Sequence, residues 1–139
     1  MVQDTDLHEV SILHRVITYY PPGSLGGERV EFQADPRHAE LIVKQCNLDG
    51  EKTKGVVTPS IKLPVTKENQ CKLDDQEAEE YRSITMRLGY LSLDRSDLQY
   101  ASREYARGMA GPTVRHLEQL KRAARYLLHA PSLVWVWRK

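Results

Sequence analysis

The chain has 139 residues, the size of one ordinary domain or two small lobes. Its 40% hydrophobic and 28% charged residues exclude a fully disordered chain, and 7 Pro with 8 Gly exclude a collagenous or low-complexity one. No apolar run approaches the ~18 residues of a membrane-spanning helix, so no membrane partner is expected.

The start, Met1-Val2-Gln3-Asp4-Thr5-Asp6, has neither the basic residues nor the apolar stretch of a signal peptide. A cytoplasmic or nuclear location is expected, with Cys46 and Cys71 as reduced thiols. Residues Val10 to Tyr20 are β-branched and aromatic, and predict one strand. Pro21 to Gly27 supplies turn chemistry, and Val30, Phe32 and Ala34 then alternate with polar residues as a second strand. The pair predicts a hairpin with a loop of about seven residues. Asp35 is placed to cap a helix starting at Pro36, with Ala39, Ile42, Val43 and Cys46 on its apolar face. Residues 51–74 show no periodicity, and so long a loop suggests a boundary or a functional segment.

Three helices are predicted beyond it. The first runs from about Asp75 to Leu93, the second from about Ser96 to Met109, and the third follows a Thr113 cap to His129. Leu133 to Trp137 reads as a final strand. The expected fold class is therefore α+β: an N-terminal hairpin and short helix (1–50), a linker (51–74), then a three-helix bundle with a terminal strand (75–139).

Charge divides the chain. Residues 1–80 carry 9 Lys/Arg against 15 Asp/Glu, and residues 81–139 carry 11 against 4. The basic half suits a polyanionic partner, or the acidic half of the same chain. On the first of the three helices, Tyr81, Ile84, Leu88 and Leu91 make a core stripe. Arg82, Met86, Gly89 and Tyr90 lie opposite, a mixture that suggests contact with another surface; on the residue pattern alone, packing on the hairpin or a neighbouring helix is the first account of it. The third helix carries Arg115, Lys121, Arg122 and Arg125 with Glu118 as its one acid, a row that reads either as a solvated face or as phosphate contacts.

Catalytic signatures are absent. Asp74-Asp75 opens a helix and reads as a cap rather than a metal pair. The five histidines and two cysteines show no zinc-ligand spacing, and neither a phosphate-cradling GxxxxGKS loop nor a GxSxG elbow occurs.

Tyr81-Arg82-Ser83-Ile84 through Leu88-Gly89-Tyr90-Leu91 to Arg95-Ser96-Asp97-Leu98 resembles the "YRSIVGSLLYL…TRPDI" segment of copia-type LTR retrotransposon Pol polyproteins. Met109 to Thr113 with His116 is similar to that family's "M…PT..H", and Leu120 to Leu127 to its "LKRILRYL". Gln33 to Val43, Val56-Val57-Thr58-Pro59 and Leu13 to Ile17 extend the likeness upstream, to about residues 9–137.

The resemblance implies a piece of a reverse transcriptase after the catalytic palm motif: primer-grip hairpin, thumb and start of the connection. The implied partners are a template–primer duplex, RNA–DNA or DNA, together with the palm and RNase H domains. Arg82, Met86, Gly89 and Tyr90 would then form the duplex-facing side, joined by Arg115, Arg122 and Arg125. The departures are Met86, where the family has a small residue, and Ser96, where it has proline. No Y-x-D-D occurs, so no catalytic residue, metal ligand or cofactor is expected in this chain; magnesium belongs to the palm of the implied parent. A stand-alone protein-interaction or structural module is the rival reading, with Met86 and Tyr90 filling a partner's groove. In a third, the segment does not fold alone, because its strands leave edges unpaired.

Overall fold

The computed structural model describes residues 8–139. It has the mixed α+β architecture expected, with a four-stranded antiparallel sheet and four helices. Two compact units divide the chain: residues 8–35 with 132–139, and residues 36–131. The terminal strand belongs with the hairpin, and residues 51–74 belong with the helices.

The first unit is the sheet, in the order β1 (His8–Ile12), β2 (Arg15–Tyr20), β3 (Arg29–Gln33) and β4 (Val134–Arg138). The single strand expected over 10–20 is two strands. Leu13 and His14 both take positive φ, 50° and 61°, and reverse the chain so that Ile12 pairs with Arg15. Two consecutive left-handed residues match the twist of a tight hairpin, normally the place of Asn-Gly. The longer loop lies after Tyr20, as expected, and Arg29 Nη1 closes it by donating to the Leu25 carbonyl at 2.8 Å. The Arg29 guanidinium sits 3.6 Å over the Tyr20 ring. β4 pairs with β3, setting Trp135 opposite Phe32 and Trp137 opposite Val30. The two tryptophans stack at 6.1 Å.

The second unit is helical: α1 (Arg37–Gln45), α2 (Asp75–Leu91), α3 (Gln99–Ala106) and α4 (Val114–His129), with a 3-10 turn at Ser96–Leu98. α1 starts one residue later than expected. Pro36 is its N-cap and no side chain caps it. α2 is capped as the sequence suggests, its Asp74 carboxylate accepting from the Glu77 N–H at 2.8 Å. The helix expected over Ser96–Met109 is shorter and begins as the 3-10 turn.

The core lies among the four helices. Ile42 of α1, Tyr81 and Leu88 of α2, Leu98, Ala101 and Tyr105 around α3, and Leu120, Ala124 and Leu127 of α4 are all buried. The Tyr81 hydroxyl donates to the Tyr105 carbonyl at 2.7 Å, and the Tyr105 hydroxyl donates to the Pro59 carbonyl at 2.7 Å. Burial pushes both phenols up to about 12, so they remain donors across the working pH range. Burial also raises the Cys46 thiol to about 11, partly countered by Lys121, and both cysteines are unpaired.

Arg95 is the largest fully buried side chain, at 1% exposure. It donates to the Ala130 carbonyl at 2.7 Å and pairs with Asp97 at 2.5 Å. Asp97 also accepts from the Tyr126 hydroxyl at 2.6 Å. Burial alone raises an acid, but these bonds and the Arg95 charge together hold Asp97 below the usual carboxylate value. Ser96 therefore lies beside the buried cation that ties the 3-10 turn to the end of α4.

Candidate nucleic-acid interface

α2 presents Arg82, Met86 and Tyr90 at i, i+4 and i+8, on the side away from its buried stripe. Met86 is 65% exposed and Tyr90 48%. Arg82 is exposed as well, with its Nε donating to the Met109 carbonyl at 2.9 Å. That bond steadies the stem through Nε. Tyr90 rests on His38 of α1, ring centroids 4.9 Å apart. The three residues form an open ridge with a cation at one end and an anchored aromatic ring at the other.

Gly89 departs from the grouping expected of it. A Cβ built there meets Ser102 Oγ of α3 at 3.6 Å, so its near neighbour is the next helix of the same unit. The helix-packing reading holds at that position, while Arg82, Met86 and Tyr90 stay open.

The α4 arginines sit differently. Arg115 gives its Nε and Nη2 hydrogens to the Leu63 carbonyl, at 3.1 and 2.9 Å. Arg122 Nη2 donates to Thr58 Oγ1 at 2.8 Å, and its Nε is buried without a partner. Gln119 donates to the Ile61 carbonyl at 3.2 Å, and the Arg125 carbonyl accepts from the Val56 N–H at 3.3 Å. The extended segment 56–63 is thus fastened along α4 by the Arg115, Gln119 and Arg122 side chains and the Arg125 carbonyl. Arg122 and Arg125 also border a small cleft with Ile61, Leu63 and Lys121. The structure brings Arg82, Met86 and Tyr90 together, and separately Arg115, Arg122 and Arg125, with different partners for each set.

Sequence reasoning missed two features. His38 supports Tyr90, yet as a single histidine on a short helix it gave no signal. A cleft of about 540 Å³ beside His116 joins Lys62 from the long loop to Tyr100 and Arg107 near α3, residues too scattered for a motif. Among the described residues no group of three or more His, Cys, Asp or Glu side chains is placed to hold a metal ion. No described helix is long and apolar enough to cross a membrane.

Two curated proteins of Arabidopsis thaliana are similar to this chain. The retrovirus-related Pol polyprotein from transposon RE1 is 43% identical over 53 residues, 38% of this chain and 4% of that polyprotein. The one from transposon RE2 is 40% identical over 80 residues, 57% of this chain and 5% of that polyprotein. No family model and no solved structure matches the chain. The two likenesses support an origin in a retrotransposon Pol polyprotein, and the chain spans about a twentieth of the length of these relatives.

Proposed function

We propose that the chain is a non-catalytic segment of a retrotransposon reverse transcriptase and contributes template–primer duplex binding to the parent polymerase. It corresponds in this reading to the region after the palm's metal-binding motif, with the sheet as primer-grip-like hairpin and the helical unit as thumb and start of the connection. The palm and RNase H domains of Pol are its partners, and magnesium acts in the palm.

One observation carries the reading: the open α2 ridge of Arg82, Met86 and Tyr90, in a chain similar to Pol polyproteins. The minor groove of an A-form-like duplex is wide and shallow, and it is recognised by shape, 2′-hydroxyls and phosphates rather than by base sequence. A helix face suits such a surface. Arg82 supplies the phosphate contact, and Met86 and Tyr90 supply apolar area, with a hydroxyl on Tyr90 to meet a sugar oxygen.

The test is fluorescence anisotropy of an RNA–DNA duplex titrated with the full chain over a range of salt concentrations. Affinity is expected to fall linearly on a log–log plot, with Arg82→Ala flattening the slope by about 1. No binding at low salt, or binding indifferent to salt, contradicts the reading.

The protein-interaction alternative is favoured by one feature, the exposure of Leu93 as well as Met86 near Tyr90. It predicts a protein partner whose binding depends on Tyr90 and hardly on salt.

A further inference from the structure

The cleft beside His116 is built from three places in the helical unit: Lys62 on the extended segment, Tyr100 and Arg107 near α3, and Arg115 and His116 at the start of α4. Its volume, about 540 Å³, lies within the ~300–1,000 Å³ of small-molecule sites, and is far more than a lone phosphate needs. Three cations line it against one acid, Glu104, which is already paired with Arg107 at 2.7 Å. Arg115 has two nitrogens committed to the Leu63 carbonyl, which fixes its position at the cleft wall. The Lys62 ammonium has no hydrogen-bond or ion-pair partner among the described residues, and neither does the Tyr100 hydroxyl.

His116 adds a neutral donor. Its Nδ1 accepts the Thr113 N–H at 3.0 Å, and its Cδ2 edge is the close neighbour of Gly108. With Nδ1 accepting, the neutral ring keeps its proton on Nε2. Burial, and then the Arg115 charge, hold its pKa below the ordinary histidine value. Tyr100, which lines the cleft with Ile61, is 70% exposed.

We infer that this cleft is a nucleotide site, in which Lys62, Arg107 and Arg115 hold a phosphate group and the base lies on the Tyr100 ring. Guanidinium and ammonium groups that line one cleft from separate segments match a phosphate's several oxygens. An exposed tyrosine face stacks any base without regard to sequence. Two sources offer this chemistry: a free mononucleotide, or the 5′-phosphorylated end of a strand. The site uses none of the α2 ridge, so it stands whether or not that ridge binds a duplex.

The test is an NMR titration of the full chain with AMP, with inorganic phosphate, and with a short 5′-phosphorylated oligonucleotide. AMP is expected to shift the His116 and Tyr100 resonances and to raise the His116 pKa as the anion seats beside it. The double variant Lys62→Ala/Arg107→Ala, which changes two exposed side chains, is expected to bind AMP about tenfold or more weakly. Tyr100→Ala is expected to weaken AMP and leave inorganic phosphate unchanged. A tighter oligonucleotide than AMP identifies the strand end as the source, and the reverse identifies the free nucleotide. The inference is overturned if none of the three probes moves these signals. It is equally overturned if an acidic peptide binds as tightly as AMP, or if the double variant binds AMP like the parent chain. Arg82→Ala separates the two sites, since it is expected to weaken duplex binding and leave AMP untouched.

Discussion

Arg82 on α2 and Arg115 on α4 each donate Nε–H to a backbone carbonyl, Met109 and Leu63 respectively, yet their surroundings differ. Arg82 stands on an exposed face with Met86 and Tyr90. Arg115 and Arg122 lie under the extended segment 56–63 and hold it to their helix. In the sequence the first row is a mixture with one cation and the second a run of cations, and each reads as a face that could meet phosphates. The contrast shows that a basic helix face is assigned by what the rest of the chain lays over it. A segment without its own secondary structure must satisfy its carbonyls elsewhere, and arginine's several donors do this well.

Arg95 is the extreme of the same series, a guanidinium wholly enclosed, and its loss has the largest expected effect. Arg95→Ala strands the Asp97 carboxylate and the Ala130 carbonyl, and is expected to cost about 3 kcal/mol or more in urea unfolding. Arg115→Ala and Arg122→Ala are expected to cost about 1–2 kcal/mol each, with faster amide hydrogen exchange at 56–63 as the local sign.

The pH dependence has a definite sign. Asp97 has a depressed folded-state pKa, so its contribution to stability is present above the unfolded aspartate value and is lost as pH falls through the lower folded value. Melting midpoints between neutral pH and strong acid check this, and Asp97→Asn is expected to flatten that acid-side decline. Met86→Ala on the open ridge is the smallest change, within about 0.5 kcal/mol of the parent in stability. Its expected effect is on duplex affinity.

Much of the fold was legible because periodicity reports burial. The stripe Tyr81, Ile84, Leu88 and Leu91 lies in the core, and Asp74 caps its helix as its position before an acidic first turn implies. The Leu13-His14 turn was not legible. Neither residue favours positive φ, and the β-branched run on both sides hides the reversal. The pairing of β4 with β3 was also hidden, since it joins residues about a hundred positions apart. At the candidate interface, the helical angle separated Arg82, Met86 and Tyr90 from the core. It gave no hint that Ser102 of α3 neighbours Gly89, or that segment 56–63 covers Arg115 and Arg122. Those relations depend on where irregular segments and short helices settle, and no local spacing records that.

The most direct measurement pairs duplex affinity with melting temperature in two double variants, Arg82→Ala/Tyr90→Ala and Arg115→Ala/Arg122→Ala. The ridge variant is expected to lose duplex binding with a smaller drop in melting temperature than the Arg115→Ala/Arg122→Ala variant, since its side chains are exposed. The flank variant is expected to melt earlier and, at temperatures where it is folded, to retain most of its duplex affinity. If the flank variant loses binding while the ridge variant keeps it, the assignment of the duplex face to α2 is contradicted.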